Sequence, residues 1–145
     1  KESSAASDVY KRQLEYSVAH NASSTSEYPY SVDMTAGSID DDAILRTINN
    51  GIYISNLWYL NFSDRNNGRM TGLTRFGCFL VQDGELTAPI NTMRFDDSVY
   101  SMLGENLIGL TSKRELLIDS GTYEERSTSS ARLPGAILNN FKMTL

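Results

Sequence analysis

Residues 51–95 read GIYISNLWYLNFSDRNNGRMTGLTRFGCFLVQDGELTAPINTMRF, and the fold turns on them. From Gly51 to Ser63 the run is almost continuously apolar, through Ile52, Tyr53, Ile54, Leu57, Trp58, Tyr59, Leu60 and Phe62. A strand covered on both faces reads this way, and that is the expectation here. Asp64-Arg65-Asn66-Asn67-Gly68 is a polar turn. A second strand is expected over residues 69–82. It meets Asp83-Gly84, a two-residue loop suited to a type I′ hairpin. The third strand should run from Glu85 towards Phe95, with Pro89 placed where no ladder donor is needed.

Upstream, Val32 and Met34 share one side of a period-two pattern and suggest a short strand at residues 31–34. Ser38-Ile39-Asp40-Asp41 matches a capping box, followed by a helical stripe of Ile44, Leu45 and Ile48. A helix over residues 40–49, closed by Asn50-Gly51, follows. Asp40, Asp41 and Asp42 then favour its positive end; three successive carboxylates point in different directions around a helix and suit one ion poorly.

Downstream, Asp96-Asp97-Ser98 precedes Val99, Met102 and Leu103 at helical spacing, which predicts a short helix ending at Gly104. Asp96 and Asp97 are accordingly read as N-cap and first-turn acids, in preference to an acid–base pair. Short strands are expected at residues 106–110 and 114–118, with a turn at Asp119-Ser120-Gly121. Residues 123–132 are polar and loop-like, and Leu133-Pro134-Gly135 is a turn. A last strand puts Phe141, Met143 and Leu145 on one face. The sum is an α+β fold, mainly antiparallel β-sheet with two short helices, without an internal repeat of solenoid or propeller kind.

The net charge of −5 argues against a nucleic-acid partner. No basic amphipathic helix suggests a membrane surface, and the longest apolar run is too short and interrupted to span a bilayer. A single cysteine, Cys78, fits a reducing compartment, with the cytoplasm as default.

A zinc hydrolase needs two or three converging His, Cys or carboxylate ligands. The chain has one histidine, His20, in a polar connecting segment where a solvated side chain is the ordinary reading. Cys78 alternates with Phe76 and Leu80 and reads as packing. No Gly-x-Ser-x-Gly elbow or phosphate-binding glycine loop is present, and a triad or thiol pair would have to borrow His20. What stands out is a set of arginines among apolar residues: Arg65, Arg75, Arg94 and Arg132. A charge in a half-buried strand is costly unless paired, and Asp64, Asp96 and Asp97 are the candidate partners. Two readings stay open. The arginines form internal or interface ion pairs, or some of them face a cavity and hold a peptide carboxylate or backbone. Trp58 and Tyr59, with Phe62, are either the accompanying apolar wall or core and dimer face.

The segments GIYISNLWYLNFSDR, TGLTRFG, VQDGELTAPINTMRFDDS and the terminal RLPGAILNNFKMTL resemble, in order, the C-terminal domain of TldD/PmbA proteins, the two related subunits TldD and TldE (PmbA) of a bacterial metalloprotease. The resemblance extends from about Leu14 to the last residue. It implies a connecting segment at residues 14–37 and a β-rich C-terminal domain at 38–145. Residues 1–13 are expected to be foreign: Ser3 to Gln13, SSAASDVYKRQ, back-translates codon for codon into a transposase adapter used in shotgun sequencing, and the chain starts at Lys1 without Met. On that reading the natural protein is longer upstream, and without those residues the net charge is −6.

In the TldD branch the metal site comes from an upstream HExxxH motif and a cysteine shortly before the final strands. The corresponding stretch here, residues 123–129, has no cysteine. The resemblance therefore implies the TldE/PmbA type, with no catalytic or metal-ligating residue and no cofactor of its own. It further implies zinc in a TldD-like partner, a heterodimer (or else a homodimer), and peptides as substrates for degradation or maturation. Two alternatives are the C-terminal part of a TldD-like zinc metalloprotease and a β-rich binding or structural module unconnected with proteolysis.

Overall fold

The structure is a computed structural model of the 145-residue chain, and it describes residues 31–122 and 129–144. The adapter reading of residues 1–13, most of the connecting segment, His20, the cysteine-free stretch at 123–128 and Leu145 lie outside the described residues. Two compact units divide the chain: Lys1–Thr35 with Arg114–Leu133, and Ala36–Lys113 with Pro134–Leu145. The described elements are β1 (Ser31–Asp33), a 3-10 turn (Asp41–Ala43) leading into α1 (Ile44–Ile48), β2 (Gly51–Asp64), β3 (Arg69–Gln82), β4 (Glu85–Pro89), β5 (Arg94–Ser98), a π-helical turn (Ser101–Glu105), β6 (Leu107–Ile118), β7 (Ser130–Leu138) and β8 (Met143–Thr144). The architecture is α+β with mainly antiparallel sheet.

In the larger unit a five-stranded sheet runs β2-β3-β5-β8, with β4 also pairing β3. Asp83 (φ 51°) and Gly84 (φ 77°) both adopt the left-handed conformation that a type I′ loop requires, so β3 and β4 meet where the sequence placed their turn. The expected third strand is broken. β4 ends at Pro89, and residues 90–93 bulge away before β5 resumes on the same edge of β3. Only two backbone bonds, Ile90 N–H to the Cys78 carbonyl and Thr74 N–H to the Met93 carbonyl, mark this interval.

Alternation along the antiparallel ladders sorts the side chains onto two faces. Gly72, Thr74, Phe95 and Asp97 lie on one side and are buried. Phe95 stacks on Phe141 with ring centroids 5.0 Å apart, which fixes β8 against β5. Cys78 and Val81 of β3 and Ile137 are also buried. On the other side, Arg69, Thr71, Leu73 and Arg75 of β3 share a face with Trp58 of β2 and with Arg94, Asp96 and Ser98 of β5.

β2 departs from the expectation of a strand covered on both faces. It is the edge strand of this sheet, and Trp58, Tyr59, Leu60 and Phe62 are exposed among the described residues. Three register shifts interrupt its pairing with β3: Ser63 is extra between the Phe62–Met70 and Asp64–Arg69 pairs, and the other two are bulges marked by aromatic residues. Tyr59 and Leu60 stand opposite the single residue Gly72, and Phe76 and Gly77 stand opposite Ser55. The first residue of each bulge is aromatic and left-handed, Tyr59 at φ 58° and Phe76 at φ 62°. A bulky side chain in that region is a backbone outlier costing about 1–3 kcal/mol.

The remaining differences have local causes. The helix expected over residues 40–49 is a 3-10 turn followed by five α-helical residues, closed by left-handed Asn49 (φ 55°). Its capping box is not made: the N-cap is Asp40 and not Ser38, with no side-chain cap bond, and the Asp40 carboxylate accepts from Ser112 Oγ at 2.8 Å. Asp96 and Asp97 belong to β5, not to a helix start, and only a π-helical turn follows. The two short strands at 106–110 and 114–118 are one strand, β6. Leu133-Pro134-Gly135 lies inside β7 instead of turning: β1 pairs only Ser130–Arg132 of β7, in parallel, so the proline needs no donor towards it. In the smaller unit Asp33 of β1 receives Arg114 of β6 and Arg132 of β7.

Candidate functional site

The outer face of β2, β3 and β5 collects most of the chemistry. Among the described residues, the Arg75 side chain has one partner class only, aromatic rings. Its Cζ lies 4.0 Å from the Trp58 ring centroid and 4.8 Å from that of Phe76. Trp58 is the diagonal cross-strand neighbour of Arg75, because Trp58 pairs Leu73 and Asn56 pairs Arg75. Phe76 reaches the same guanidinium through its left-handed bulge. None of the N–H donors of Arg75 has an acceptor among the described residues. A guanidinium held over ring faces keeps its in-plane donors open.

Arg94 shares this face. It is paired in register with Leu73, and its Nε donates to Thr71 Oγ1 at 3.3 Å. Thr71 Oγ1 in turn donates to the Phe95 carbonyl at 2.8 Å.

Arg69 was missing from the sequence-derived arginine set, yet it forms the strongest ion pair here. Its Nη2 lies 2.6 Å from Asp96 Oδ1, and its Nε donates to the same oxygen at 3.0 Å. Arg69, followed by Ser63 Oγ, holds the Asp96 carboxyl below the usual carboxylate range. The signal was present in the spacing: residues 69, 71, 73 and 75 alternate onto one face, which aligns Arg69 with the acid of β5 once the hairpin is granted.

The other proposed pairings are not made. Asp64 caps its own turn, accepting from Asn67 Nδ2 at 2.6 Å and from the Asn66 amide at 3.0 Å, and the Asn67 side chain leads in keeping its carboxyl acidic. Asp97 is fully buried and accepts from two backbone amides, Ser98 at 2.8 Å and Lys142 at 3.1 Å. Arg65 sits in the turn with its Cζ 6.0 Å from the Phe62 ring centroid. Arg132 lies in the smaller unit, 3.8 Å from Asp33 Oδ2. Of the six candidate residues, then, Trp58, Arg75 and Arg94 share this face, and Tyr59, next to Trp58 in sequence, is 79% exposed. Phe76, 72% exposed, is the member that sequence reading missed.

Zinc does not fit the donors in view. Cys78 is buried, its thiol turned to the Arg75 carbonyl at 3.5 Å. Asp96 is committed to Arg69 and Asp97 to backbone amides. Among the described residues no three His, Cys, Asp or Glu side chains gather into a metal-holding group. No described helix is long and apolar enough to cross a membrane.

No curated protein matches the chain. The crystal structure of TldE from Thermococcus kodakarensis is similar over 81% of this chain, with a TM-score of 0.64 and 18% sequence identity. At that identity the likeness is one of fold. This chain spans 24% of the length of that one. The family model described as the PmbA/TldA metallopeptidase C-terminal domain matches residues 8–145. A β-rich module with no connection to that family is thereby excluded, and the chain belongs to the TldD/PmbA family, as the C-terminal domain of a metallopeptidase-related protein.

Proposed function

We propose that this domain comes from a TldE/PmbA-type subunit, the non-catalytic companion of a TldD-like, zinc-bearing peptidase. The observation that carries the reading is the fate of the metal-grade donors. The one cysteine is buried within β3, and Asp96 and Asp97 are spent within the protein. Cleavage of peptides would fall to the partner, and the outer face of β2, β3 and β5 would contact the peptide or the partner subunit through Arg75, Arg94, Trp58 and Tyr59. Arg65, on the turn beside this sheet, is a further contact of the same kind. Arg132, in the smaller unit, is another candidate contact. A reducing compartment such as the cytoplasm suits the unbridged Cys78.

Co-purification tests the proposal. The complete gene product and a TldD-like subunit from the same source are assayed for peptide cleavage separately and together. Cleavage that requires both, with zinc only in the TldD-like chain, supports the companion role. Full activity from the TldD-like chain alone would refute it. Zinc and cleavage in the gene product alone would favour the competing reading, a TldD-like protease with its ligands upstream.

A further inference from the structure

We infer that Arg75, framed by Trp58 and Phe76, is a subsite for the α-carboxylate of a peptide ending in an apolar residue. The inference rests on the peptide-handling role proposed above and narrows it to one ligand class and one group.

Four observations converge on it. First, Arg75 is half-buried against two rings, at 4.0 and 4.8 Å, and no described acceptor takes its N–H donors. A partly desolvated guanidinium with open in-plane donors matches the two oxygens of a carboxylate, whereas one already spent on a protein acid does not. Arg69 is the internal contrast: same strand, same face, but closed by Asp96 at 2.6 Å. Second, the local charge has the right sign. Although the chain carries a net charge of −5, residues 51–82 contain three arginines and one acid, Asp64, which is turned into its own loop. Arg94, one diagonal step from Arg75 across β3 and β5, adds a second cation and spends only its Nε, on Thr71.

Third, the apolar frame is built at a cost. Phe76, whose ring lies 4.8 Å from the guanidinium, occupies left-handed backbone at φ 62° and is 72% exposed. A strained, exposed aromatic residue against a cation points to recognition more than to packing. Fourth, the frame suits what adjoins a terminal carboxylate. Trp58 and Phe76 offer flat apolar surface to a C-terminal side chain, while an acidic side chain there would compete for Arg75 and a lysine would be repelled.

Trp58 is the only tryptophan, so its emission reports directly on this site. The 145-residue chain is titrated with N-acetyl-Leu-Leu-Phe as the free acid and as the C-terminal amide. The free acid should give a saturable change in Trp58 emission, with at least tenfold tighter binding than the amide. Arg75→Gln should abolish that preference. Arg75→Lys, which keeps the charge and the stem but loses the fork, should weaken the acid about tenfold. Arg46→Lys, on α1 and paired with Asp42, should change nothing. Circular dichroism of each variant establishes that the fold is kept. Equal binding of acid and amide, no binding of either, or an acid preference that survives Arg75→Gln would overturn the inference. The companion role is read separately: loss of the acid preference with two-subunit cleavage intact removes only this subsite, and the reverse result removes only the companion role.

Discussion

Gly72 and Phe95 face each other in register across β3 and β5, with no room between them for a methyl group. A Cβ on Gly72 would fall 2.9 Å from Phe95 Cε1, 2.8 Å from Leu60 Cδ2 and 3.0 Å from the Trp58 carbonyl oxygen. The glycine is what lets the Tyr59–Leu60 bulge close over β3 while the Phe95 ring reaches the core. Gly72→Ala should therefore destabilise the domain by about 1–3 kcal/mol, the usual range for overpacking. Gly104→Ala, where nothing lies within 4 Å, should stay within about 0.5 kcal/mol. Denaturant midpoints of the two variants check this, and similar values for both would be the contrary result.

Asp97 ties the final strand to β5. Its buried carboxylate accepts the Lys142 amide at 3.1 Å, so Asp97→Ala strands a backbone donor away from water. The expected cost is about 1–3 kcal/mol. Amide hydrogen exchange at Lys142 and Met143 should quicken more than exchange in β2, and uniform acceleration would speak against a local tether.

The Arg69–Asp96 pair gives a signed pH dependence. Because the Asp96 carboxyl is held below its ordinary range in the folded chain, its contribution is complete above the unfolded value, about pH 4. It is lost as the pH falls through the lower folded value. The stability gap between the parent and Arg69→Met should thus be constant from pH 5 to 7 and shrink below about pH 4. A gap that widens in acid would contradict the assignment. The pair is partly exposed, so added salt should narrow the gap at neutral pH.

Backbone strain at Tyr59 is directly measurable. At φ 58° glycine is at ease and a β-branched residue is not. Tyr59→Gly should leave stability unchanged or raise it by up to about 1 kcal/mol, because the 79% exposed ring has little packing to lose. Tyr59→Val should lower it by about 1–2 kcal/mol. Thermal unfolding of the two variants separates these outcomes, and equal stability would mean that the bulge relaxes.

The sheet was legible where local chemistry and tertiary pairing agree. Asp83-Gly84 has no better conformation than the loop it forms, and β3 has the bounds that its flanking turns dictate. Legibility failed where a ladder overrode local preference. Pro134 sits inside β7, and the Asp96–Asp97 pair that suits a helix start is drawn into β5 by the register with β3. Covered and exposed apolar strands look alike in one dimension, so β2 was misread. At the candidate site the arginines were visible, but their partners were not. Arg69 takes Asp96 because both alternate onto one face, and Phe76 joins Arg75 because of a bulge that the sequence announces only by the glycine following it.

The proposed companion role depends most on this domain's subunit having no zinc chemistry of its own. Metal content of the purified two-subunit complex, resolved by subunit and read with peptide cleavage, tests that most directly. One zinc in the TldD-like chain, none in this one, and cleavage only from the pair is the predicted result. Stoichiometric zinc in this subunit, with peptide cleavage in its partner's absence, would contradict it.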